Sequence, residues 1–164
     1  MADLPQYVLD RAFAAPREMV WKAWTDPKLL SHWYGPNIET VIHKFDLHPG
    51  GLWLNEMKMG DTSMLSKSVF GEVVPGERLT FDQSSTDKDW NVVASPMMPD
   101  WPKVISNVIT FEDAGDSTKL RLVWSPVDPT EAELACFEGA VSNMGKGWES
   151  GFAILDEMLK DMQA

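Results

Sequence analysis

The sequence contains three histidines, the residue type whose ordinary pKa lies closest to neutrality and which therefore serves most readily as a general acid or base. They are His32, His43 and His48. Their spacing fits no compact zinc motif and Cys136 is the lone cysteine, so no metal site is expected. A strand over this stretch would put His43 on one face with Phe45 and Leu47, where a histidine is more often a hydrogen-bonded core residue than a catalyst. If that face lines a cavity, His43 is nevertheless the best general-base candidate.

Other polar side chains that could serve in a pocket are scattered along the chain. Asp46, Glu56 and Asn107 are secondary candidates, and no triad of nucleophile, base and orienting group can be assembled from spacing. The sequence has no glycine-rich phosphate loop, and no cofactor is expected. Cys136 lies just off the buried stripe of a predicted helix, which favours a partly buried inert thiol over a nucleophile.

Aromatic side chains are concentrated in VWKAWTDPKLLSHWYGP, residues 20–36. Pro16 and Pro27 each suit the first position of a helix and Asp26 can cap the second one, so two short helices are predicted. Three tryptophans of this stretch would fill the junction where these helices meet the rest of the fold. They are Trp21, Trp24 and Trp33.

Most of the remaining chain alternates between apolar and polar residues, as strands with one buried face do. One strand precedes the two helices and the others follow them. The predicted strands are 6–14, 37–47, 51–59, 63–74, 78–83, 103–113 and 118–125. The turn HPGG at 48–51 offers two glycines that can take positive φ, which predicts a hairpin. Short connections between successive strands predict an antiparallel meander.

A long amphipathic helix is predicted after the last strand. Asp128 would cap it, Pro129 would open it and Glu131 would reach back as in a capping box. An apolar stripe with three- and four-residue steps follows. It comprises Leu134, Phe137, Val141, Met144, Trp148, Phe152, Leu155, Leu159 and Met162. Glycines interrupt this helix at a cost of roughly 1 kcal/mol each relative to alanine, so they either allow close packing or a bend, or leave room for a ligand.

The connection TDKDWNVVASPMMPDWP, residues 86–102, is longer than the ~12–15 residues at which structureless loops become uncommon. It is also apolar, which is unusual for a linker. Its large apolar side chains are predicted to form a lid or an interface. These are Trp90, Met97, Met98 and Trp101. The segment either covers the edge of the sheet while partly closing a cavity, or forms a homodimer contact.

Composition limits the partners and the location. The 164 residues suit one domain, residues 1–164. With 14 Lys and Arg against 25 Asp and Glu the net charge is -11, which disfavours nucleic acid and anionic membranes as partners. The N-terminus lacks a basic start followed by an apolar run, no segment is apolar enough to span a bilayer, and the lone cysteine fits a reducing compartment. A cytoplasmic location is therefore expected.

Several ordered motifs resemble the activator-of-Hsp90-ATPase-homologue-like (AHSA-type) family of the START and birch-pollen-allergen (SRPBCC) superfamily. The motifs are RAFAAPREMVWKAWTDPKLLSHWYGP, FDLHPGGLW, FGEVVPGERLTF, TKLRLVW and GKGWESGFAILDEML. The resemblance implies an α+β helix-grip fold, in which a curved antiparallel sheet wraps a long C-terminal helix and two short helices lie between strands 1 and 2. It also implies a cavity between sheet and helix. The candidates to line that cavity are Trp33, Tyr34, His43, Phe45, Trp53, Asn107, Met144 and Trp148.

Three functions are compatible with this resemblance. The favoured one is binding of a small apolar or amphipathic ligand in a closed cavity of ~300 to 1,000 Å³. The second is interaction with the chaperone Hsp90 as an ATPase activator, although the eukaryotic activators carry a further N-terminal domain for which 164 residues leave no room. The third is a cyclase- or hydrolase-like enzyme, which would need an acid–base pair inside the cavity. An apolar lining would indicate binding, and two facing titratable groups would indicate catalysis.

Overall fold

The computed structural model describes residues 5–34, 39–95 and 98–163. Its elements in chain order are β1 (Tyr7–Phe13), α1 (Arg17–Thr25), α2 (Pro27–Trp33), β2 (Glu39–Phe45), β3 (Leu52–Met59), β4 (Thr62–Val74), β5 (Arg78–Thr86), β6 (Ile105–Asp113), β7 (Thr118–Pro126) and α3 (Glu131–Met162). One strand, two short helices, a run of strands and a long helix follow each other in the predicted order, which confirms the α+β class.

The strands form one antiparallel sheet in the order β1-β7-β6-β5-β4-β3-β2. From β2 to β7 each strand pairs with its neighbours in sequence, as a meander requires, and β1 pairs with the far side of β7. α3 lies on one face of this sheet. Its Phe152 contacts Phe13 of β1 with ring centroids 5.1 Å apart, and its Trp148 contacts Trp124 of β7 at 5.6 Å. This arrangement confirms the helix-grip fold.

The register determines which strand side chains face α3. Residues directly opposite each other in an antiparallel pair share a face of the sheet. Phe81, Asn107 and Trp124 stand opposite one another across β5, β6 and β7. Because Trp124 contacts α3, this row belongs to the inner face, and every second residue along each strand continues that face. The inner face holds fully buried side chains such as Ile109 and Leu122.

Two tryptophans of the short helices fill the junction with α3, as predicted. Trp24 of α1 and Trp33 of α2 are each 1% exposed, and their ring centroids lie 4.8 Å apart. The indole N–H of Trp33 donates to the Ala23 carbonyl at 2.9 Å, which holds α2 against α1. Trp24 also stacks on Trp148 of α3 at 6.1 Å. Trp21 is only half-buried, so it contributes less to this junction.

The starts of the two short helices follow the sequence closely. α2 begins at Pro27, and the Asp26 side chain accepts a hydrogen bond from the Lys28 N–H at 3.0 Å, which confirms the predicted cap. α1 begins at Arg17, one residue after the predicted Pro16. A proline at this point supplies no N–H, so it fits the position before the helix as well as the first position within it.

The start of α3 corrects the predicted cap. Asp128 is not the capping residue, and its φ of 45° places it in the left-handed region. Thr130 caps the helix instead, because its hydroxyl accepts from the Glu133 N–H at 3.1 Å and the Glu133 carboxylate accepts from the Thr130 N–H at 3.2 Å. Glu131, the predicted partner in the capping box, is the first helical residue. Glu133 also accepts a hydrogen bond from Lys103 at 3.0 Å, and this long-range contact favours the later start.

The hairpin between β2 and β3 requires both of its glycines. Gly50 has a φ of 84°, which residues with a Cβ rarely adopt. A Cβ at Gly51 would overlap the carbonyl oxygen of Asp46. The HPGG turn therefore confirms the hairpin prediction and sets the register of β2 against β3.

α3 buries the C-terminal part of its predicted stripe most completely. Phe152 and Leu155 are 0% exposed and Leu159 is 1% exposed. Gly145 lets α3 approach β1 closely, because a Cβ there would lie 3.3 Å from the Tyr7 hydroxyl. Within the described residues, none of the helices is both long and apolar enough to cross a membrane.

Candidate ligand-binding site

Polar side chains gather on the inner face of β3, β4 and β5. Asn55 stands opposite Ser66, and Ser66 stands opposite Ser85. In the next row Ser68 stands opposite Gln83. Gln83 lies two residues along β5 from the inner-face row described above, so all five side chains face the interior. We refer to these five residues as the inner polar cluster.

Asn55 is the unusual member of the inner polar cluster. It is 2% exposed, and neither its Nδ2 nor its Oδ1 has a hydrogen-bond partner among the described residues. An unpaired buried polar group costs ~1–3 kcal/mol, and native proteins keep few of them. Gln83 differs, because its Nε2 donates to the Tyr34 hydroxyl at 3.3 Å. The Asn55 amide therefore has unused capacity to donate and to accept a hydrogen bond.

A cavity of about 160 Å³ adjoins the inner polar cluster. It is lined by Met57, Met64, Leu65, Ser66, Gln83, Ser84, Ser85, Trp101, Pro102, Ile105 and Trp124. Asn55 does not itself line this cavity, but it lies beside two residues that do, Ser66 opposite it and Met57 two positions along β3. Among the described residues that line it, none carries an acid or base that titrates near neutral pH. The cavity is smaller than the closed cavity expected from the sequence.

A wider groove opens from the same region toward solvent. It encloses about 670 Å³ between α3 and the segment that precedes β6. The groove is lined by Met64, Ser85, Ser95, Met98, Trp101, Cys136, Gly139, Ala140 and Asn143. Met64, Ser85 and Trp101 line both the groove and the cavity, so the two spaces meet at these side chains.

Trp101 borders both the groove and the cavity. Its ring centroid lies 5.6 Å from that of Phe137 on α3 and 6.4 Å from that of Trp124 on β7. Gly139 on the facing side of the groove differs from Gly145, because a Cβ at Gly139 would meet no atom within 4 Å. Close packing thus explains Gly145, whereas the missing side chain at Gly139 keeps the groove open.

Two aromatic candidates from the short-helix region occupy different positions. Trp33 belongs to the helix junction and is fully buried there. Tyr34 is 7% exposed, and its ring contacts Trp53 at 5.2 Å and Trp148 at 6.1 Å. Burial raises the pKa of the Tyr34 hydroxyl, which therefore stays protonated while it accepts the hydrogen bond from Gln83. The Tyr34 hydroxyl therefore extends the inner polar cluster, whereas Trp33 lies in the helix junction next to it.

The remaining cavity candidates on the sheet and on α3 surround the cluster. Phe45 contacts Trp53 with ring centroids 5.7 Å apart, and both belong to the inner face. Asn107 is 1% exposed and donates to the Ile105 carbonyl at 3.1 Å, so its amide is already engaged. Trp148 is half-buried between Trp24 and Trp124. The side chain of the other helical candidate, Met144, lies outside the described residues.

His43 lies on the outer face, which corrects its predicted position among core residues. Ile42 stands opposite Asn55 and Phe45 stands opposite Trp53, so these two residues face inward. The register shifts between Ile42 and Lys44, and His43 is the extra residue of this β-bulge. Its side chain is 44% exposed. His43 is therefore not a general base inside the cavity.

On the outer face His43 belongs to a small hydrogen-bonded group. Its Nε2 lies 2.8 Å from the Glu56 carboxylate, which also accepts a hydrogen bond from the Ser63 hydroxyl at 2.7 Å. These bonds, the one from Ser63 most strongly, lower the pKa of Glu56. In a nucleophilic triad the serine donates to the histidine. Here Ser63 donates to the carboxylate, so the group does not activate a nucleophile.

The segment 86–102 divides into two parts. Trp90 has a φ of 65° and lies against His43, with ring centroids 5.5 Å apart. The Asp87 carboxylate holds this turn by accepting from the Asn91 N–H at 3.0 Å. The second part borders the groove, where Trp101 is half-buried and Met98 is 40% exposed. Met97 lies outside the described residues, and the homodimer contact stays a prediction.

No residue of the inner polar cluster was predicted from the sequence, and neither was the groove. Asn55 was not singled out, although it alternates in phase with Trp53 and Met57 along β3. That phase was the available signal, because a polar residue between two inward apolar residues must itself face inward. Gly139 was noted only as one of several helical glycines.

Comparisons with known proteins agree with the fold. The family model described as Activator of Hsp90 ATPase homolog 1-like protein matches residues 14–160. The structure of protein Ms6760 from Mycobacterium smegmatis is 23% identical, with 94% of this chain and 90% of that chain covered and a TM-score of 0.77. A protein from Arthrobacter aurescens is 19% identical over 95% of this chain and 86% of its own, with a TM-score of 0.78. DynU16, from the dynemicin biosynthetic locus, is 19% identical over 94% of this chain and 47% of its own, with a TM-score of 0.65.

None of the curated proteins matches this chain significantly. The structural likenesses lie below 25% identity, so they bear on the fold alone.

Proposed function

The chain belongs to the activator of Hsp90 ATPase homolog 1-like family, and we propose that it is a binding protein for a small amphipathic molecule held between the sheet and α3. The observation that carries this proposal is the junction of the cavity with the groove at Met64, Ser85 and Trp101. A ligand can enter from solvent along α3 and reach the inner polar cluster without crossing the packed aromatic junction.

The sizes of the two spaces fit a ligand that occupies both. Ligand pockets usually measure ~300–1,000 Å³. The cavity of about 160 Å³ is below this range, whereas the groove of about 670 Å³ lies within it. The polar end of the ligand would occupy the cavity, and its apolar part would lie in the groove against Met98 and Trp101.

The chemistry of the lining favours binding over catalysis. Acid–base catalysis needs a titratable group within hydrogen-bond reach of the substrate. The described cavity lining supplies hydroxyl and amide groups from Ser66, Gln83 and Ser85, together with apolar side chains. His43, the general-base candidate, lies on the opposite face of the sheet. Such a lining can orient a ligand, and it offers no group to abstract a proton at neutral pH.

The test is a titration with Nile red, an uncharged apolar dye whose fluorescence rises in apolar surroundings. We expect saturable binding to the wild type. Gly139→Phe should weaken dye binding ~10-fold or more, because the new ring fills the groove. Ala135→Phe is the matched control, since Ala135 is exposed on the same helix and does not line the groove.

The control should bind the dye as the wild type does. Thermal unfolding of each variant would show that both substitutions leave the fold intact. Equal dye affinities for the two variants, or no saturable binding to the wild type, would contradict the proposed function.

A further inference from the structure

The geometry points to a specific class of ligand: we infer that the inner polar cluster selects molecules whose buried end is an uncharged group that both donates and accepts hydrogen bonds, such as a primary carboxamide. Asn55 is its main partner. This inference deepens the binding function proposed above and rests on it.

The unmatched amide of Asn55 favours a ligand group that both donates and accepts hydrogen bonds. A side-chain amide presents two N–H donors and one carbonyl acceptor within a single plane. Both of its polar atoms are buried without partners among the described residues. A ligand that only accepts would satisfy the Nδ2 and leave the Oδ1 unpaired. A ligand carboxamide can pair with both atoms at once, because it carries the complementary donor and acceptor in the same geometry.

The described lining of the cavity carries no positive charge, which disfavours an anionic ligand. A buried carboxylate or phosphate needs a cation beside it, since transferring an unpaired charge from water is highly unfavourable. The part of the cavity lining that the structure describes contains no Lys, Arg or His. Arg11 is an inner-face guanidinium, but it lies on β1 at the opposite edge of the sheet and is paired with Asp156 at 2.7 Å. An anionic end would therefore be rejected.

The polar groups around Asn55 are held in place by their neighbours. Gln83 is held by its hydrogen bond to Tyr34, and Tyr34 is held between the rings of Trp53 and Trp148. The Tyr34 hydroxyl accepts from Gln83, so its own hydrogen is available to donate. These groups are positioned before the ligand arrives, which reduces the entropy lost on binding.

The test is displacement of Nile red by two ligands with matched chains, octanamide and octanoate, at about pH 7.5, where a carboxylic acid is ionised. Octanamide should bind the wild type ~10-fold or more tightly than octanoate. In Asn55→Leu this preference should fall to within about threefold while Nile red still binds. Thr118→Val is the matched control, because Thr118 is also fully buried but donates to Ala15 far from the cavity. It should keep the preference of the wild type.

The outcomes separate this inference from the proposed function. If the wild type binds Nile red but prefers octanoate or does not discriminate, the inference is wrong and the binding function stands. If the preference survives in Asn55→Leu, the assignment to Asn55 is wrong. If Nile red does not bind to the wild type, the binding function fails and the inference fails with it.

Discussion

Replacing Asn55 by leucine should raise the free energy of unfolding, although most core substitutions lower it. Leucine branches at the same atom as asparagine, has the same number of side-chain heavy atoms, and leaves no polar atom unpaired. Removing the two unpartnered amide atoms relieves a desolvation penalty of ~1–3 kcal/mol. For a domain of this length that gain raises Tm by ~2–4 °C per kcal/mol. A residue that costs stability where it stands is typical of a binding site.

The assay is urea unfolding followed by tryptophan fluorescence, with the slope m monitored for a change in the unfolded or native state. Asn107→Leu is the matched comparison. Asn107 is equally buried, but its amide donates to the Ile105 carbonyl at 3.1 Å. Its replacement breaks a bond that is made, so it should lower the unfolding free energy by ~1–3 kcal/mol.

The two substitutions should therefore move the midpoint in opposite directions at unchanged slope. If Asn55→Leu lowers the midpoint as Asn107→Leu does, the Asn55 amide has a structural partner. The hydrogen-bonding capacity of Asn55 would then not be free for a ligand.

Three further predictions concern the core, the helix cap and the segment 86–102. Trp148→Ala should lower the unfolding free energy by ~3–5 kcal/mol, because it removes contacts with Trp24 and Trp124 and leaves a void; a urea midpoint that hardly moves would contradict this. The hydrogen bond from Lys103 is the main cause of the lowered pKa of Glu133, so the stability that this carboxylate contributes is present above the ordinary pKa of a glutamate and is lost as the pH falls through the lowered value. Glu133→Gln should therefore destabilise the protein at neutral pH and much less in acid. Unfolding curves at several pH values would reveal this difference. Trp101→Ser should weaken Nile red binding whereas Trp90→Ser should not, since only Trp101 lines the cavity, and an equal loss in fluorescence titrations would refute this division of the segment.

The order of elements could be predicted because each one has a local signature. α3 carries a long apolar stripe, and Phe152, Leu155 and Leu159 of that stripe are buried as expected. The hairpin before β3 was predicted from glycines whose backbone conformation and close approach the turn requires. Such signatures depend on neighbours in sequence, so no tertiary information is needed to interpret them.

The position of His43 could not be predicted, because one extra residue in a strand reverses the face of the sheet to which each later side chain points. No local residue type marks the bulge between Ile42 and Lys44. The prediction of the α3 cap was wrong for a related reason. The sequence predicted Asp128 as the cap, and the contact of Glu133 with Lys103 that accompanies the observed Thr130 cap is visible only in the fold.

The candidate site was predicted only in outline. Tyr34 and Trp101 were named as cavity and lid residues, and the structure places Trp101 in the cavity wall and Tyr34 beside the inner polar cluster. The cluster itself depends on which residues stand opposite one another across three strands. Asn55 belongs to a polar cluster only because it stands in one row with Ser66 and Ser85, and the sequence does not show that pairing.

The most direct measurement of the central claim is a pair of ¹H–¹⁵N spectra recorded with and without octanamide. We expect the side-chain NH₂ signals of Asn55 to shift as the ligand saturates, together with backbone signals of residues that line the cavity and groove, such as Ser85 and Trp101. Signals of the outer-face group around His43 should stay in place. Shifts confined to that outer face, or an Asn55 side chain that does not respond at saturation, would contradict the account.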